Sequence, residues 1–253
     1  MDRIPVSVVI ICCNAATTIK RAIVSAHLIT DDVVVVDSGS TDNTPSLAAE
    51  AGARVIQLEW MGFGETKNAG NRATRYFWIF SLDADEEISI ELAAAVKKIS
   101  IATESVVYSI KLLNYLGGQA IYHGEWQNNW AKRLFNKNNV RWDAAPVHEN
   151  LILPPGVQLK KLDGLLHHYT AESIESYSKK LDNYAQLMAV RYQAKKKKGA
   201  GLKMFFSPVF SFVKYYLVQG GWMDKKAGFE IALAHARYTY KKYKGLKSLN
   251  KGV

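Results

Sequence analysis

Two aspartates, Asp83 and Asp85, lie two positions apart directly after the apolar stretch at residues 76–82. Carboxylates that follow a buried strand lose hydration, so a positive charge must compensate them. A hard divalent cation such as Mg²⁺ or Mn²⁺ supplies that charge and often completes its coordination shell with substrate phosphate. The alternative is a solvated acidic loop that opens the next helix, a role that suits Glu86 and Glu87. The pattern thus indicates a site for a metal ion and phosphate. A solvated acidic loop is the open alternative.

A third aspartate, Asp37, ends the β-branched run Val33–Asp37 and precedes a turn rich in serine, glycine and threonine. A carboxylate in this place can accept hydrogen bonds from a base or a ribose, as an acidic residue does in dinucleotide-binding folds. The turn also contains Asp42 and Asn43, whose side chains suit the cap of the following helix. Asp37 fits a cap less well, which favours nucleotide binding at this position.

A glycine-rich segment at residues 60–64 runs into a predicted helix that carries Lys67. Backbone N–H groups at the start of a helix suit phosphate, and a lysine can pair with a diphosphate. The segment matches neither the G-x-G-x-x-G pattern nor the G-x-x-x-x-G-K-[ST] pattern. Lys67 is therefore a candidate diphosphate ligand. The assignment needs support from motifs elsewhere in the chain.

These candidates follow predicted strands in an alternating pattern of strands and helices. Strands are predicted at residues 6–13, Val33–Asp37, 54–58 and 76–82, and helices at residues 17–28, 44–51, 64–75 and 90–99. Alternation at this spacing predicts βαβ units, and so an α/β fold with a mostly parallel central sheet flanked by helices. Ligands of such sheets bind at the carboxyl ends of the strands. One edge of the sheet is therefore expected to carry Asn14, Asp37, Asp83 and Asp85.

The pattern changes beyond residue 100. Residues 106–166 mix short strands with aromatic-rich loops, and the pattern becomes helical after His168. The sequence thus predicts an α/β domain at residues 1–170 and a basic, amphipathic helical extension at residues 171–253.

Positive charge is concentrated in the helical extension. The chain has 33 Lys and Arg against 23 Asp and Glu, a net charge of +10. Residues 160–253 hold 19 basic and 6 acidic side chains, whereas residues 1–159 hold 14 and 17. Such asymmetry points to a polyanionic partner, either nucleic acid or an anionic membrane surface. A basic run at residues 195–198 beside an aromatic stretch at 204–217 favours the membrane. The alternative is a helix that packs its aromatic face on the α/β domain.

The sequence contains no recognisable targeting or membrane-spanning segment. Its apolar stretches at residues 6–13 and 204–218 are shorter than the ~20 residues that a spanning helix needs, and the N-terminus lacks a signal-peptide cleavage site. The adjacent cysteines Cys12 and Cys13 do not form a disulfide framework and suit a reducing compartment. A hydrophobic content of 48% excludes a disordered chain. We therefore expect a cytoplasmic protein whose membrane attachment is peripheral, at the inner face of the cell membrane.

Taken together, the motifs resemble those of the family 2 glycosyltransferases, which have the nucleotide-diphospho-sugar transferase (GT-A) fold. The matching segments lie at residues 6–14, 34–44, 67–70 and 82–86. Further patterns are similar to those of bacterial lipopolysaccharide-core β-glucosyltransferases: Trp-x-Gly-Phe-Gly at 60–64, Val-His-Glu at 147–149 and Tyr-x-x-x-Gly-Gly-x-x-Asp at 216–224. The resemblance covers nearly the whole chain and implies a nucleotide-binding half at residues 1–100 and an acceptor half at 101–170.

The resemblance also implies roles for the candidate residues at the nucleotide-diphospho-sugar donor, which is expected to be a UDP-sugar. Asp37 would bind the uracil or ribose, Asp83 the ribose and Lys67 the diphosphate. Asn14 is expected beside them among the donor ligands. The base pocket would be lined by Ile11 and Cys13.

For the metal, the resemblance implies that Asp85 holds Mg²⁺ or Mn²⁺ across the diphosphate, where the cation neutralises the leaving group. His168 would complete the metal shell or reach the diphosphate, and the alternative is a structural histidine. Inversion by direct displacement needs a base that deprotonates the acceptor hydroxyl. Glu149 is the preferred base, with His148 and Asp143 as rivals. A purely structural His–Glu pair is the alternative.

The resulting hypothesis is a metal-dependent, inverting hexosyltransferase. It would transfer a sugar, glucose from UDP-glucose being preferred, to a lipid-linked or lipopolysaccharide-core acceptor at the membrane. Alternatives are transfer of another sugar in capsule, exopolysaccharide or protein glycosylation. A sugar nucleotidylyltransferase would need a glycine-rich basic loop that residues 11–20 lack. A nucleic-acid-binding module would need a reading motif among the basic residues, so no nucleic-acid partner is expected.

Overall fold

The computed structural model describes residues 5–99, 105–144, 149–197 and 199–251. Contacts divide the chain into two compact units. The first unit comprises Met1–Leu112 and Asn129–His168, and the second unit comprises Leu113–Asn128 and Tyr169–Val253. The candidate donor, metal and base residues all belong to the first unit.

The first unit is built on four parallel strands, of which the first two are buried along their whole length. Its strands β1 (Val6–Cys12), β2 (Val33–Asp37), β3 (Arg54–Gln57) and β4 (Trp78–Asp83) lie in the order β3-β2-β1-β4. Its helices are α1 (Ile19–Ala26), α2 (Thr44–Glu50), α3 (Phe63–Arg72) and α4 (Ile90–Lys97). Every residue of β1 and β2 is buried, which explains why these strands read as continuous Val and Ile runs.

Beyond β4 the sheet contains antiparallel pairs. The sheet continues as β4-β8-β6-β11-β5, with β7 paired to β6, and β9 pairs with β10 apart from it. The bounds are β5 (Glu86–Ile88), β6 (Val106–Leu116), β7 (Gln119–Ile121), β8 (Trp130–Asn136), β9 (Arg141–Trp142), β10 (Leu151–Ile152) and β11 (Gln158–Ala171). The predicted α/β class with a flanked central sheet is confirmed, and the sheet is mixed. Parallel pairs join β1 to β2, β1 to β4 and β2 to β3, whereas β4–β8, β6–β8 and β5–β11 pair antiparallel. The strands β6 and β11 run in the same direction, because Gln158 N–H donates to the Ser105 carbonyl at one end and Gly117 N–H donates to the Ala171 carbonyl at the other.

The second unit is mainly helical, and its helices confirm the predicted C-terminal helical extension. It contains α5 (Ile174–Ala194), α6 (Ala200–Phe212), a π-helical segment (Val213–Val218) and α7 (Lys225–Lys251). The larger buried apolar cluster of this unit consists of Leu116, Ile121, Trp126, Tyr177, Leu181, Ala227, Ile231 and Ala234, and a smaller one consists of Ala189, Ala200 and Leu246. None of the helices in the described ranges is both long enough and apolar enough to cross a lipid bilayer.

The aspartate of the Tyr-x-x-x-Gly-Gly-x-x-Asp pattern has a local structural role in the second unit. Asp224 is buried and accepts hydrogen bonds from the backbone N–H groups of Tyr122 (3.4 Å) and His123 (2.8 Å). Its Oδ1 also lies 3.2 Å from Nδ1 of His123. The carboxylate thus joins the start of α7 to the segment that follows β7.

Candidate active site

The carboxyl ends of β1, β2 and β4 bring two of the candidate aspartates to one edge of the sheet. In the strand register, Cys12 lies opposite Asp37 on β2, and Ile11 lies opposite Asp83 on β4. The two carboxylates therefore flank the end of β1, as the parallel strand order leads one to expect.

Asp37 is buried and organises the turn that follows β2. Its Oδ2 accepts the N–H of Ser40 at 3.1 Å, its Oδ1 accepts the Ser40 hydroxyl, and the Cys12 thiol lies 3.7 Å from Oδ1. Burial, and next the nearby Asp37 carboxylate, raise the pKa of the Cys12 thiol to about 12. A cavity of about 510 Å³ adjoins this turn and is lined by Asp37, Ser38, Gly39, Ser40, Gln57, Leu58, Glu59 and Trp60.

Asn14 lies at the end of β1 with a left-handed backbone (φ 52°). Its Oδ1 accepts the N–H of Thr41 at 2.8 Å, and its own N–H donates to the Ser40 hydroxyl oxygen at 2.8 Å. Both hydrogen bonds join the end of β1 to the turn after β2. In this structure Asn14 therefore shapes the turn around Asp37.

Lys67 on α3 connects two acidic residues that are far apart in the sequence. Its Nζ donates to Oε1 of Glu149 at 2.8 Å and lies 3.3 Å from Oδ1 of Asp83. The ammonium group also lies 4.7 Å from the ring centroid of Trp142, and Lys67 is only 4% exposed. A buried ammonium group with two carboxylate partners is a fixed positive charge at this edge of the sheet.

A second buried cation, Arg133 on β8, was missed by the sequence analysis. Its Nη2 donates to Oδ2 of Asp83 at 2.6 Å and to Oε1 of Glu86, and the residue is 7% exposed. Tyr108 pairs with Leu134 while Ser109 pairs with Lys132, so Arg133 is the extra residue of a β-bulge. A bulge of this kind redirects a side chain.

No local pattern in β8 marks this arginine. The usable signal is the acidic pair Asp83 and Glu86, since burial of the Glu86 carboxylate demands a cation from elsewhere in the fold. The assignment of Glu86 to a solvated acidic loop is wrong. Glu86 is 1% exposed, and its Oε2 accepts the N–H of Asp83 at 3.0 Å.

The ionisation states in this cluster follow from burial and from the two cations. Burial acts to raise the pKa of Asp83, but Arg133 and Lys67 outweigh it and hold that pKa well below its usual range. Burial raises the pKa of Glu86, against the attraction of Arg133. Asp83 is therefore the more acidic of the two carboxyl groups.

Asp85 and His168, the two expected metal ligands, lie side by side. His168 on β11 pairs in register with Glu86, and its Nε2 lies 3.4 Å from Oδ2 of Asp85. Burial acts to lower the pKa of His168, but the hydrogen bond and charge of Asp85 outweigh it and raise that pKa. The Asp85 side chain is 36% exposed, so solvent reaches its carboxylate.

The carboxylate of Asp85 and the imidazole of His168 suit a divalent cation that substrate helps to hold. In the described part of the chain, no group of three or more His, Cys, Asp or Glu side chains is arranged to hold a metal ion. Mg²⁺ commonly uses one or two carboxylates and takes its remaining oxygens from phosphate and water. The Asp83 oxygens already face Lys67 and Arg133, which leaves Asp85 as the more available carboxylate.

A cavity of about 630 Å³ opens beside the Lys67 cluster. Its lining residues are Lys67, Asp83, Asn129, Trp130, Ala131, Lys132, Arg133, Trp142, Glu149, Asn150 and Leu151. Trp130 is 37% exposed, and the Lys161 ammonium group lies 4.4 Å from its ring centroid. The cavity thus combines charged groups with an indole face of the kind on which a sugar ring can stack.

The candidate bases differ in how the structure places them. Glu149 lines the cavity and contacts Lys67. Asp143 instead closes its own loop, because its Oδ1 accepts the N–H of Asn150 at 3.1 Å. His148 lies outside the described residues.

The glycines of the 60–64 segment have a packing role. Gly62 has φ 88° at the start of α3, and a Cβ on Gly64 would lie 1.8 Å from the carbonyl oxygen of Asp143. Only glycine allows α3, which carries Lys67, to approach the loop after Trp142 this closely.

The chain matches the profile of the family "Glycosyl transferase family 2" over residues 7–150. It belongs to the family 2 glycosyltransferases. The family resemblance, the GT-A type of α/β fold and the transferase class of enzyme that were predicted from the sequence are thereby confirmed.

The sequence of this chain is similar to relatives over nearly its whole length. An uncharacterised glycosyltransferase of Rickettsia conorii is 30% identical and covers 97% of this chain and 92% of its own length. The lipopolysaccharide core biosynthesis glycosyltransferase LpsC of Rhizobium meliloti is 26% identical, over 95% of this chain and 91% of its own. Among solved structures, glucosyl-3-phosphoglycerate synthase from Mycobacterium tuberculosis, in complex with Mg²⁺ and uridine diphosphate, matches 43% of each chain at 26% identity, with a TM-score of 0.37.

Proposed function

We propose that this glycosyltransferase moves glucose from UDP-glucose to a lipid-linked or lipopolysaccharide-core acceptor, with inversion at the anomeric carbon. The likeness to LpsC over nearly the full length of both chains supports the acceptor class. The observation that carries the proposal is the position of Lys67, whose ammonium group joins Asp83 at the strand ends to Glu149 in the cavity. One cation thus lies between the proposed donor site and the proposed base.

The donor would lie along the carboxyl edge of the sheet. The cavity beside Asp37 would take the uridine, Asp83 would contact the ribose, and Lys67 would pair with the diphosphate. Asn14 contributes by holding the turn that contains Ser40. Asp85 and His168 would hold the divalent cation, which when bound neutralises charge on the leaving diphosphate.

Glu149 is the proposed base for the acceptor hydroxyl. It takes the hydroxyl proton while the acceptor oxygen bonds to the anomeric carbon and the bond from that carbon to the diphosphate breaks. Before donor binds, Glu149 is engaged by Lys67 at 2.8 Å. A diphosphate attracts the same ammonium group, so donor binding weakens the Lys67–Glu149 pair and frees the carboxylate for the proton. The geometry therefore favours binding of the donor before the acceptor reacts.

The test is UDP release from a panel of nucleotide sugars, with and without Mn²⁺ or Mg²⁺, in wild type and two variants. UDP-glucose is expected to be the preferred donor, with metal-dependent turnover. Glu149→Gln keeps a hydrogen-bond acceptor for Lys67 but cannot take a proton, so kcat should fall by roughly 10²–10⁴-fold while nucleotide affinity is kept.

Asp143→Asn is the matched control, because Asp143 closes its own loop. It should keep turnover within a few-fold of wild type. Wild-type turnover in Glu149→Gln would exclude Glu149 as the base. Failure of every nucleotide sugar to yield product would exclude the proposed reaction.

A further inference from the structure

The helix α6 presents its apolar side to solvent. Its exposed apolar residues recur at the spacing of one helix face, and the series continues to Val213, the residue that follows the helix. Each of these residues is between 39% and 71% exposed. We call this set the α6 apolar face: Leu202, Phe205, Phe206, Val209, Phe210 and Val213. Helices on a soluble protein normally turn such a face toward the core.

The residues that α6 buries within the second unit are few and mostly small. They are Ala200, Met204 and Ser211. The helix α7 shows the usual arrangement, because its apolar residues Ala227 and Ile231 lie in the core of the unit. The orientation of α6 is therefore a specific feature of this helix, and it leaves a contiguous apolar patch with two neighbouring phenylalanines at its centre.

The exposed apolar surface continues past α6. Leu217 and Val218 in the π-helical segment are 55% and 77% exposed, and Trp222 and Met223 shortly after it are 56% and 45% exposed. Aromatic and long apolar side chains of this kind are enriched where a protein meets the interface of a membrane.

In the sequence, lysines both precede and follow the residues of the apolar surface. Exposed lysines precede α6 at residues 195–197 and follow the apolar surface at residues 225 and 226. The second unit as a whole carries 17 Lys and Arg against 6 Asp and Glu. Basic residues next to an apolar helix face are attracted to anionic lipid.

We propose that α6 lies in the headgroup region of an anionic lipid bilayer, with its apolar face inserted among the acyl chains. A helix of 13 residues is about 20 Å long, which is too short for a hydrocarbon core of about 30 Å. It therefore lies along the membrane plane. A second copy of the chain fits this face less well, because each copy would bring the same positive charge to the contact.

This inference names the membrane partner of the proposed transferase and rests on the proposed function only in placing the acceptor at a lipid surface. The test is co-sedimentation with vesicles of phosphatidylcholine alone or mixed with phosphatidylglycerol. Wild type should bind the mixed vesicles, and added salt should weaken the binding. The triple variant Phe205→Ser, Phe206→Ser, Phe210→Ser should bind at least about tenfold more weakly.

A matched control removes exposed apolar side chains elsewhere in the same unit. Leu187 and Val190 on α5 are 56% and 57% exposed, so Leu187→Ser with Val190→Ser should leave vesicle binding unchanged. Hydrolysis of UDP-glucose in solution should persist in the triple variant. Loss of vesicle binding in the triple variant, with hydrolysis intact, would support the membrane face. Absence of UDP-glucose hydrolysis in wild type would count against the proposed reaction but not against the membrane face.

A fluorescent probe locates the inserted helix directly. In a Cys13→Ser background, Phe206→Cys labelled with an environment-sensitive dye should shift to the blue on anionic vesicles, and Val190→Cys should not. Equal vesicle binding by wild type and the triple variant, or a Phe206→Cys probe that stays in water, would overturn the proposal. Light scattering that shows a dimer in wild type and a monomer in the triple variant, without lipid binding, would assign the face to self-association and also overturn it.

Discussion

At the scale of single residues, the charge cluster at the end of β4 depends on Arg133. Glu86 and Asp83 are three positions apart, and both face the same guanidinium group. Two carboxylates this close repel each other unless a cation lies between them. Arg133 supplies that cation from β8, and the bulge at this position brings its side chain to the cluster.

Replacing this arginine is expected to destabilise the fold. Arg133→Met should lower the free energy of unfolding by about 3–5 kcal/mol, because it leaves Glu86 buried without its charge partner. The double variant Arg133→Met with Glu86→Gln should recover part of that loss, since the uncompensated buried charge is then gone. Urea unfolding followed by circular dichroism measures both. A single variant as stable as wild type would show that Arg133 does not hold the cluster together.

At the scale of elements, the sequence predicted β1–β4 because each is a short run of strand-forming residues in an alternating pattern of strands and helices, and β1 and β2 are continuous buried Val and Ile runs. The same reasoning placed Asp37 and Asp83 at neighbouring strand ends. It could not place the contact between Lys67 and Glu149, which are 82 residues apart. It also missed the bulge at Arg133 and the outward direction of the α6 face, because both depend on tertiary packing that periodicity does not encode.

The close approach of α3 to the loop after Trp142 should not tolerate a side chain at Gly64. In Gly64→Ala the new Cβ would lie 1.8 Å from the Asp143 carbonyl oxygen, and backbone cannot move aside cheaply. We expect a loss of about 1–3 kcal/mol in unfolding free energy. We also expect slower glycosyl transfer, since the shift separates Lys67 from Glu149.

The control is the same substitution in a helix with free space. Gly201 lies in α6, and a Cβ there would meet nothing within 4 Å. Gly201→Ala should therefore raise the unfolding free energy by roughly 0.5–1 kcal/mol. Thermal and urea unfolding of the two variants compare them directly. Equal effects of the two substitutions would contradict a close approach at Gly64.

At the scale of the whole molecule, charge is divided between the two units. The first unit, which holds the candidate catalytic residues, carries 16 basic and 17 acidic side chains, a net charge of −1, and the second unit carries 17 and 6, a net charge of +11. None of the candidate catalytic residues belongs to the second unit. A basic, mainly helical unit with an exposed apolar helix is suited to a negatively charged lipid surface.

The stability of the first unit depends on a buried aspartate at the opposite end of the strands. Asp32 accepts hydrogen bonds from the Ser7 hydroxyl (2.6 Å), the Arg54 guanidinium (2.9 Å) and the Arg75 N–H (2.8 Å). It thereby joins β1, β3 and the segment before β4. Burial acts to raise the pKa of Asp32, but the hydrogen bonds, led by that of Ser7, outweigh it and lower the pKa.

A lowered pKa makes this stabilisation dependent on pH in a defined direction. Above the unfolded-state pKa of about 3.9 the carboxylate is ionised in both states, so the full stabilisation is present. As pH falls below that value, the unfolded chain takes up the proton first and the stabilisation is progressively lost. Asp32→Asn should therefore be less stable than wild type at neutral pH and lose less stability on acidification. Urea unfolding at several pH values from neutral to about 3 measures the free energy of unfolding of both proteins. Parallel plots of that free energy against pH for Asp32→Asn and wild type would mean that Asp32 does not contribute to acid sensitivity.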